Sequence, residues 1–402
     1  MRILLFTGNG GAGKTTAASA TALRLAERGC KTLLLSAGTA HSAGDALDCP
    51  IGAEPAEVAP SLWALQFDSQ RRLEAAWRGV QAYLVRLLAR VGVDPVTAEE
   101  LAVLPGLEAV LALLAVHELA ESGNWDVLVV DCGPAAETLR LLSLPETLGS
   151  YLTKVFPAHQ RLISGLGPFA GLLGRAQNPS SSGLLAALLQ LTAELAAVRA
   201  LLSDPAITSV RLVLTPEAVV TAEARRAYTA LSLYGYRVDL VVANRVFPEG
   251  SGAWQAGWVA AQRGQLALLR DSFAGLPIRE VPYGAAEPIG VAALRDVADH
   301  LYGPLPGADP AAASEAGTLL RVEADGADFL LRMRLPLATR GEVGAVRAGD
   351  DLVLTVGACR RVLSLPSVLR RCEVVGGEFV DSELRIRFRP DESVWPRTGG
   401  GT

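Results

Sequence analysis

The chain has 402 residues, of which 50% are hydrophobic and 20% charged, and its formal net charge at pH 7 is −5. This length is typical of two domains, and the apolar content is sufficient for a large buried core. The negative balance argues against nucleic acid as a main partner, because binding to phosphate backbones needs clustered positive charge.

The length and composition of the apolar segments argue against export and against membrane insertion. The first apolar run, residues 3–6, is short and leads directly into glycines, unlike a signal peptide. The longest apolar segment, 183–202, contains Gln190, Glu194 and Arg199, which a membrane-spanning helix would not readily bury. The five cysteines include no Cys-x-x-Cys pair, which argues against a zinc clasp. We therefore expect a soluble, cytoplasmic protein.

The most informative segment is glycine-rich and reads GNGGAGKTT. It follows an apolar run and precedes a stretch rich in Ala, Leu and Arg, which is the strand–loop–helix context of a phosphate-binding loop. Backbone N–H groups and the positive end of the following helix can bind phosphates there. A glycine-rich turn without a ligand is the alternative. The predicted nucleotide-binding residues of this segment are Gly8, Gly10, Gly11, Ala12, Gly13, Lys14, Thr15 and Thr16.

Three side chains carry the expected chemistry of that loop. Lys14 would reach the β- and γ-phosphates of a nucleoside triphosphate, and the Thr15 hydroxyl would ligate Mg²⁺. Asp131 ends an apolar run and could hold Mg²⁺ through water, although a helix N-cap is an alternative role for it. The sequence thus predicts ATP and Mg²⁺ as ligands, with Lys14 and Asp131 as the catalytic candidates.

Apolar strands alternate with helical patterns up to about residue 305, which predicts a doubly wound α/β domain with a mainly parallel sheet. Most of the strands are continuous Val, Ile and Leu runs, as expected when both faces of a sheet are buried. Two segments, 69–122 and 147–204, interrupt this alternation of strands and helices and are predicted to be helical insertions. The predicted strands are 3–7, 32–36, 62–67, 127–131, 210–214, 238–243 and 278–281.

The last quarter of the chain has a different pattern. A stretch rich in Pro, Ala and Gly predicts a linker over 306–316, after a first domain ending near residue 305. A small all-β sandwich is predicted over 317–390, with turns at Gly349-Asp350 and Gly376-Gly377, and a disordered tail over 391–402. Its predicted strands are 319–322, 328–334, 351–356, 359–364, 373–375 and 383–388.

The first domain resembles the ArsA-type family, which contains arsenite-pump ATPases and the ATPases that guide tail-anchored membrane proteins. Four matches occur in the family's order. They are the glycine loop, a first switch at 40–42 and 44–47, a second switch at 131–145, and a nucleobase end at 243–245 and 282–290. The resemblance implies that Asn244, Pro282 and Glu287 contact the base. An amide such as that of Asn244 can pair with adenine, although Asn after a strand is also a common turn residue.

The β-sandwich resembles the α-crystallin, or small heat-shock, domain. The residues that carry this resemblance lie at 349–354, 360–366 and 379–384. Some members of the ArsA-type family have such a domain at this end.

Two positions depart from the family pattern. Asn9 occupies the position of a lysine that reaches the phosphates of a partner subunit, and Gly38 occupies that of an aspartate that positions the attacking water. Phosphoryl transfer depends on positioning and on charge compensation, so both losses predict slow or partner-dependent hydrolysis, whereas binding needs neither group.

The family resemblance predicts a homodimer in which ATP closes two subunits and controls the binding of a hydrophobic protein segment or lipid-like client. A heterodimer, in which a related chain supplies the missing groups, is a variant of this hypothesis. A second hypothesis is a non-catalytic chaperone or scaffold whose sandwich binds clients while the nucleotide only regulates. A partitioning ATPase ranks last, because no basic amphipathic tail or DNA-binding patch is visible.

Overall fold

The protein folds around one mainly parallel sheet and a pair of antiparallel sheets, as seen in a computed structural model. The structure describes residues 1–37, 42–67, 107–140, 142–143, 193–250, 252–313, 318–393 and 395. Most of the two segments predicted as helical insertions lies outside these residues.

The first sheet has eight strands in the order β3-β4-β2-β5-β1-β6-β7-β8. All neighbouring pairs are parallel except β3 with β4, which confirms the predicted α/β class. All seven predicted strands of this domain are present. The strands are β1 Arg2–Gly8, β2 Thr32–Ser36, β3 Ala56–Ala59, β4 Leu62–Gln66, β5 Val127–Pro134, β6 Thr208–Leu214, β7 Val238–Val246 and β8 Ile278–Pro282.

Helices cover both faces of this sheet. In β1, Ile3 and Leu5 belong to one buried cluster, whereas Leu4 and Phe6 belong to another on the opposite face. This explains why the strand is apolar throughout rather than alternating with polar residues. The helices are α1 Lys14–Glu27, α2 Ser42–Leu47, α3 Leu107–Glu121, α4 over 135–140, α5 over 193–203, α6 Ala218–Tyr234, α7 Ala253–Ser272 and α8 Gly290–Tyr302.

The C-terminal region forms two antiparallel sheets that enclose a third buried cluster, as predicted. One sheet has the order β14-β15-β10-β9 and the other β11-β12-β13. The strands are β9 Leu320–Asp325, β10 Asp328–Arg334, β11 Val343–Ala348, β12 Asp351–Val356, β13 Cys359–Ser364, β14 Cys372–Val380 and β15 Glu383–Pro390, and the short helix α9 is Ser367–Arg370.

One expectation for this region was wrong. Gly376-Gly377 was predicted to be a turn, but both glycines lie inside β14, next to a bulge between Val374 and Gly376. The bulge adds a residue without ending the strand, so the glycines do not reverse the chain. Trp395, in the segment predicted to be a disordered tail, packs against Phe329 with ring centroids 5.7 Å apart.

Part of the predicted linker is bound to the first domain. The carbonyl of Ala311 accepts a hydrogen bond from Arg2 Nε at 3.1 Å, and that of Pro310 accepts one from the buried Arg211 guanidinium at 2.5 Å. Arg211 also contacts Asp239 and the Tyr302 hydroxyl. Residues 310–311 are therefore held at the amino ends of the strands rather than being free.

The sandwich also contacts α6 directly. Leu233 of this helix is fully buried within the sandwich core, and the Thr229 hydroxyl donates to the Pro336 carbonyl at 2.7 Å. The buried Arg361 guanidinium donates to the Leu233 carbonyl at 2.6 Å, and the Tyr234 hydroxyl donates to the Arg360 carbonyl at 3.1 Å. A cation at the carboxyl end of a helix stabilises its dipole as well.

Replacing Arg361 by methionine should weaken this contact by about 2 kcal/mol, because a charged donor is lost and the Leu233 carbonyl stays buried. We expect faster amide hydrogen exchange in the last turn of α6 and in β13. Arg360→Met is the matched control, since the Arg360 side chain is exposed. Equal exchange in wild type and Arg361→Met would contradict the contact.

Candidate nucleotide site

The glycine loop joins β1 to α1 at the carboxyl edge of the parallel sheet. Gly8 runs so close to β6 that a Cβ there would lie 1.8 Å from the Val213 carbonyl oxygen. Gly13 has a φ of +89° as the residue before α1, and a Cβ on it would lie 2.1 Å from Asn244 Nδ2. Both positions therefore require glycine. Thr16 follows in α1, while Gly10 and Gly11 are exposed at the tip.

Lys14 points back across the loop. Its Nζ donates to the Asn9 carbonyl at 2.9 Å, so the amine occupies the space that the loop encloses. Burial lowers the pKa of Lys14, while the nearby carboxylate of Asp131 opposes that change. An amine in this position can transfer its hydrogen bonds from a backbone carbonyl to phosphate oxygens.

Thr15, Asp131 and Ser42 meet beside the loop. The Thr15 hydroxyl donates to Asp131 Oδ2 at 2.7 Å and lies 2.9 Å from the Ser42 hydroxyl. Asp131 Oδ1 is buried without a hydrogen-bond partner among the described residues. A buried carboxylate oxygen without a donor, next to two hydroxyls, fits the all-oxygen coordination that Mg²⁺ prefers. Ser42 is the residue that sequence reasoning placed in a switch without giving it a role here.

Burial raises the pKa of Asp131 to about 6, against the hydrogen bond from Thr15 and the charge of Lys14. Because the folded state holds this proton more tightly than the unfolded chain, Asp131 lowers the free energy of unfolding as pH rises from about 4 to about 6. Above that range its carboxylate costs the metal-free fold about 3 kcal/mol.

Asp131→Asn should therefore raise the free energy of unfolding at pH 7 in the presence of EDTA, and flatten its pH dependence between about 4 and about 6. Chemical denaturation at several pH values measures this. A variant that is less stable than wild type at pH 7 would show that the carboxylate is satisfied in the metal-free protein.

A chain of hydroxyls ties the start of the second switch segment to β1. The Thr7 hydroxyl donates to Thr138 Oγ1 at 2.9 Å, and both hydroxyls lie within hydrogen-bond distance of the Gly133 carbonyl. Thr138 belongs to α4, which begins directly after β5. The end of β5 is thereby fixed next to the glycine loop.

Asn244 lies against the same loop. Its Nδ2 donates to the Ala12 carbonyl at 2.8 Å, at the carboxyl end of β7. Pro282 ends β8, the neighbouring strand, and Glu287 lies in the segment that leads to α8. The structure thus brings Asn244 to the loop and places the other two base-contact candidates on the adjacent strand and its connection.

The Asn9 side-chain amide donates to the carboxylate of Glu223, in the first half of α6. Gly38 and His41 lie outside the described residues.

Three further observations concern a buried thiol, metal-binding clusters and membrane-spanning helices. Burial raises the pKa of Cys132 to about 12, so its thiol stays protonated. No cluster of three or more His, Cys, Asp or Glu side chains suited to a metal ion occurs within the described ranges. In that same part of the chain, no helix has the length and apolar character needed to cross a bilayer.

Comparison with protein families gives two matches. Residues 1–303 match the family described as anion-transporting ATPase, ArsA, and residues 326–388 match an HSP20-like domain found in ArsA. The first match covers the mainly parallel sheet, and the second covers most of the two antiparallel sheets that follow it in the chain.

Several proteins are similar over nearly their whole length. Protein Rv2184c of Mycobacterium tuberculosis is 36% identical, with 98% of this chain and 97% of that protein aligned. A protein of Chlorobaculum tepidum named "Putative arsenical pump-driving ATPase" is 33% identical, with 96% of each chain aligned. A Streptomyces coelicolor protein, SCO2128, is 36% identical, with 99% of this chain and all of that protein aligned.

Proposed function

Because the chain belongs to the anion-transporting ATPase (ArsA) family, we propose that it binds ATP with Mg²⁺ at the glycine loop and uses the nucleotide to control its hold on a hydrophobic client. The observation that carries this proposal is the cluster of Lys14, Thr15, Ser42 and Asp131 at one side of the loop. Hydrolysis is slow or depends on a partner, since Asn9 and Gly38 replace the family's lysine and aspartate.

The residues have separate tasks in this proposal. Lys14 leaves the Asn9 carbonyl and binds the terminal phosphates, while the loop's N–H groups and the start of α1 hold the others. Thr15 and Asp131 would hold the Mg²⁺ ion, which when bound would supply positive charge against the phosphates. None of these tasks requires the missing lysine and aspartate, so ATP binding is retained although fast ATP hydrolysis is lost.

Exposed apolar side chains support closure of two subunits over this edge. They follow the carboxyl ends of β6, β7 and β8, so they lie at the same edge of the sheet as the glycine loop. Their exposed fractions are 73% for Val219, 70% for Trp254, 50% for Tyr283 and 48% for Ile289. A second copy that covered them would gain apolar burial and would bring its own residues toward the nucleotide.

Helix α6 offers a route from the loop to the sandwich. Glu223 contacts Asn9 near one end, and Leu233 is embedded in the sandwich core near the other. The helix has 17 residues and a length of about 25 Å. A change at Asn9 on nucleotide binding would therefore act on an element that the sandwich holds directly.

Retention of an apolar peptide by the full-length protein, with and without Mg-ATP, tests the client proposal. We expect Mg-ATP to change retention at least severalfold in wild type and not in Lys14→Ala. Peptide retention that does not change with ATP in either protein, but is lost when residues 318–393 are deleted, favours the alternative of a non-catalytic scaffold. Co-purification with an equimolar related chain would favour a heterodimer.

A further inference from the structure

A buried glutamine on α7 holds the turn that follows Asn244. Gln262 is only 3% exposed, and its Nε2 donates to the Arg245 carbonyl at 3.0 Å while its Oε1 accepts the Phe247 N–H at 2.7 Å. One side-chain amide thus satisfies two backbone groups on either side of Val246.

The turn needs this support because of its backbone conformation. Arg245 has a φ of +58°, a left-handed conformation that residues other than glycine adopt rarely and only when the surroundings fix it. Arg245 directly follows Asn244, so the conformation of the turn sets the backbone from which the Asn244 side chain extends. The Tyr283 N–H, which donates to the Val246 carbonyl at 2.8 Å, ties the same turn to the end of β8.

The contact with the glycine loop also fixes which way the Asn244 amide faces. A backbone carbonyl must be met by an N–H group, so Nδ2 lies toward Ala12 and the amide cannot be inverted without losing that bond. The Oδ1 acceptor is then available to a base. An acceptor pairs with the 6-amino group of adenine, whereas the 6-oxo group of guanine is itself an acceptor and is repelled.

We propose that Gln262 is a positioning residue for the nucleobase. By holding the 245–247 turn it keeps the Asn244 amide in the orientation that selects a 6-aminopurine nucleotide over a 6-oxopurine nucleotide. This inference rests on the proposed ATP-binding function and assigns its base selectivity to a residue of α7 that lies outside the family motifs found in the sequence.

The test is the dissociation constant of the full-length protein for ATP and for GTP, each with Mg²⁺, by titration calorimetry. Gln262→Met preserves side-chain length and removes both hydrogen bonds, and it should lower the ratio of GTP to ATP dissociation constants by about tenfold. The matched control is Gln255→Met. Gln255 lies on the same helix and donates to the Pro248 carbonyl at 2.9 Å, beyond the turn, so the ratio should not change.

A double-substitution cycle separates positioning from a general loss of structure. In an Asn244→Ala background, Gln262→Met should not change the ratio further, because the group that it positions is absent. If Gln262→Met does not give a cooperative unfolding transition, Gln262→Glu replaces it, since that variant keeps the acceptor for the Phe247 N–H. It also turns a carboxylate oxygen toward the Arg245 carbonyl in place of the N–H donor, so it should lower the ratio as well.

An unchanged ratio in Gln262→Met, or the same loss in the Asn244→Ala background, would overturn the inference while leaving ATP binding intact. A wild-type protein that binds ATP and GTP equally would also overturn it. A wild-type protein that binds neither nucleotide would instead overturn the proposed function, and the inference with it.

Discussion

The double substitution Asn9→Lys with Gly38→Asp should raise kcat for ATP hydrolysis by about 10³-fold. Phosphoryl transfer is accelerated mainly by charge compensation and by a positioned nucleophile, and these are the two contributions that the family resemblance assigns to the replaced residues. The glycine loop is otherwise equipped for binding, with Lys14, Thr15 and Asp131 in contact around it.

Single substitutions separate the two contributions. Asn9→Lys alone should produce only part of the gain, because Gly38 still lacks a carboxylate. The new lysine can also form an ion pair with Glu223, which Asn9 already contacts, and this competes with its contact to phosphate. Asn9→Ala with Gly38→Ala is the matched control that changes both positions without adding a charge, and it should not raise kcat above the wild-type value. A double variant with wild-type turnover would show that other groups limit the reaction.

Asp131→Asn should weaken Mg²⁺-dependent ATP binding and turnover by about 10- to 100-fold. The carboxylate has one oxygen on Thr15 and a second, buried oxygen without a donor in the described part of the chain. An amide offers one neutral oxygen and an N–H group that repels a cation and its bound water. The loss should therefore appear in titrations with Mg²⁺ present and be small in EDTA.

The control for this variant lies at the opposite end of the same strand. Asp126 precedes β5, and its carboxylate accepts a hydrogen bond from the Lys31 N–H at 2.8 Å, far from the loop. Asp126→Asn should leave the Mg²⁺ dependence unchanged. If Asp131→Asn binds Mg-ATP as tightly as wild type does, Asp131 is a structural carboxylate and the metal assignment is wrong.

The parallel strands could be predicted from the sequence because burial on both faces leaves long apolar runs, as in β1. The two strands that were missed lack that signal. β3 is a four-residue edge strand, and β11 contains glycine and alanine and is largely exposed, so packing contributes little to either pattern. Pairing with β4 and with β12 produces them, and pairing is a tertiary property.

The glycine loop and Asp131 could be proposed from the sequence because each comes at the end of an apolar run, in β1 and in β5. The contacts of Ser42, Glu223 and Gln262 could not, because each depends on an element distant in sequence meeting the loop or the turn beside it. Polar residues on helices are common, and only the hydrogen bonds distinguish these three. The same holds for Arg361, whose role follows from the α6 carbonyl that it contacts.

The most direct test is to measure Mg-ATP binding and steady-state phosphate release on one preparation, for wild type and Lys14→Ala. We predict saturable binding by wild type with turnover below that of the Asn9→Lys, Gly38→Asp variant. Both should be lost in Lys14→Ala, because Lys14 binds the terminal phosphates. Binding that persists unchanged in Lys14→Ala, or no binding by wild type, would contradict a nucleotide site at the glycine loop.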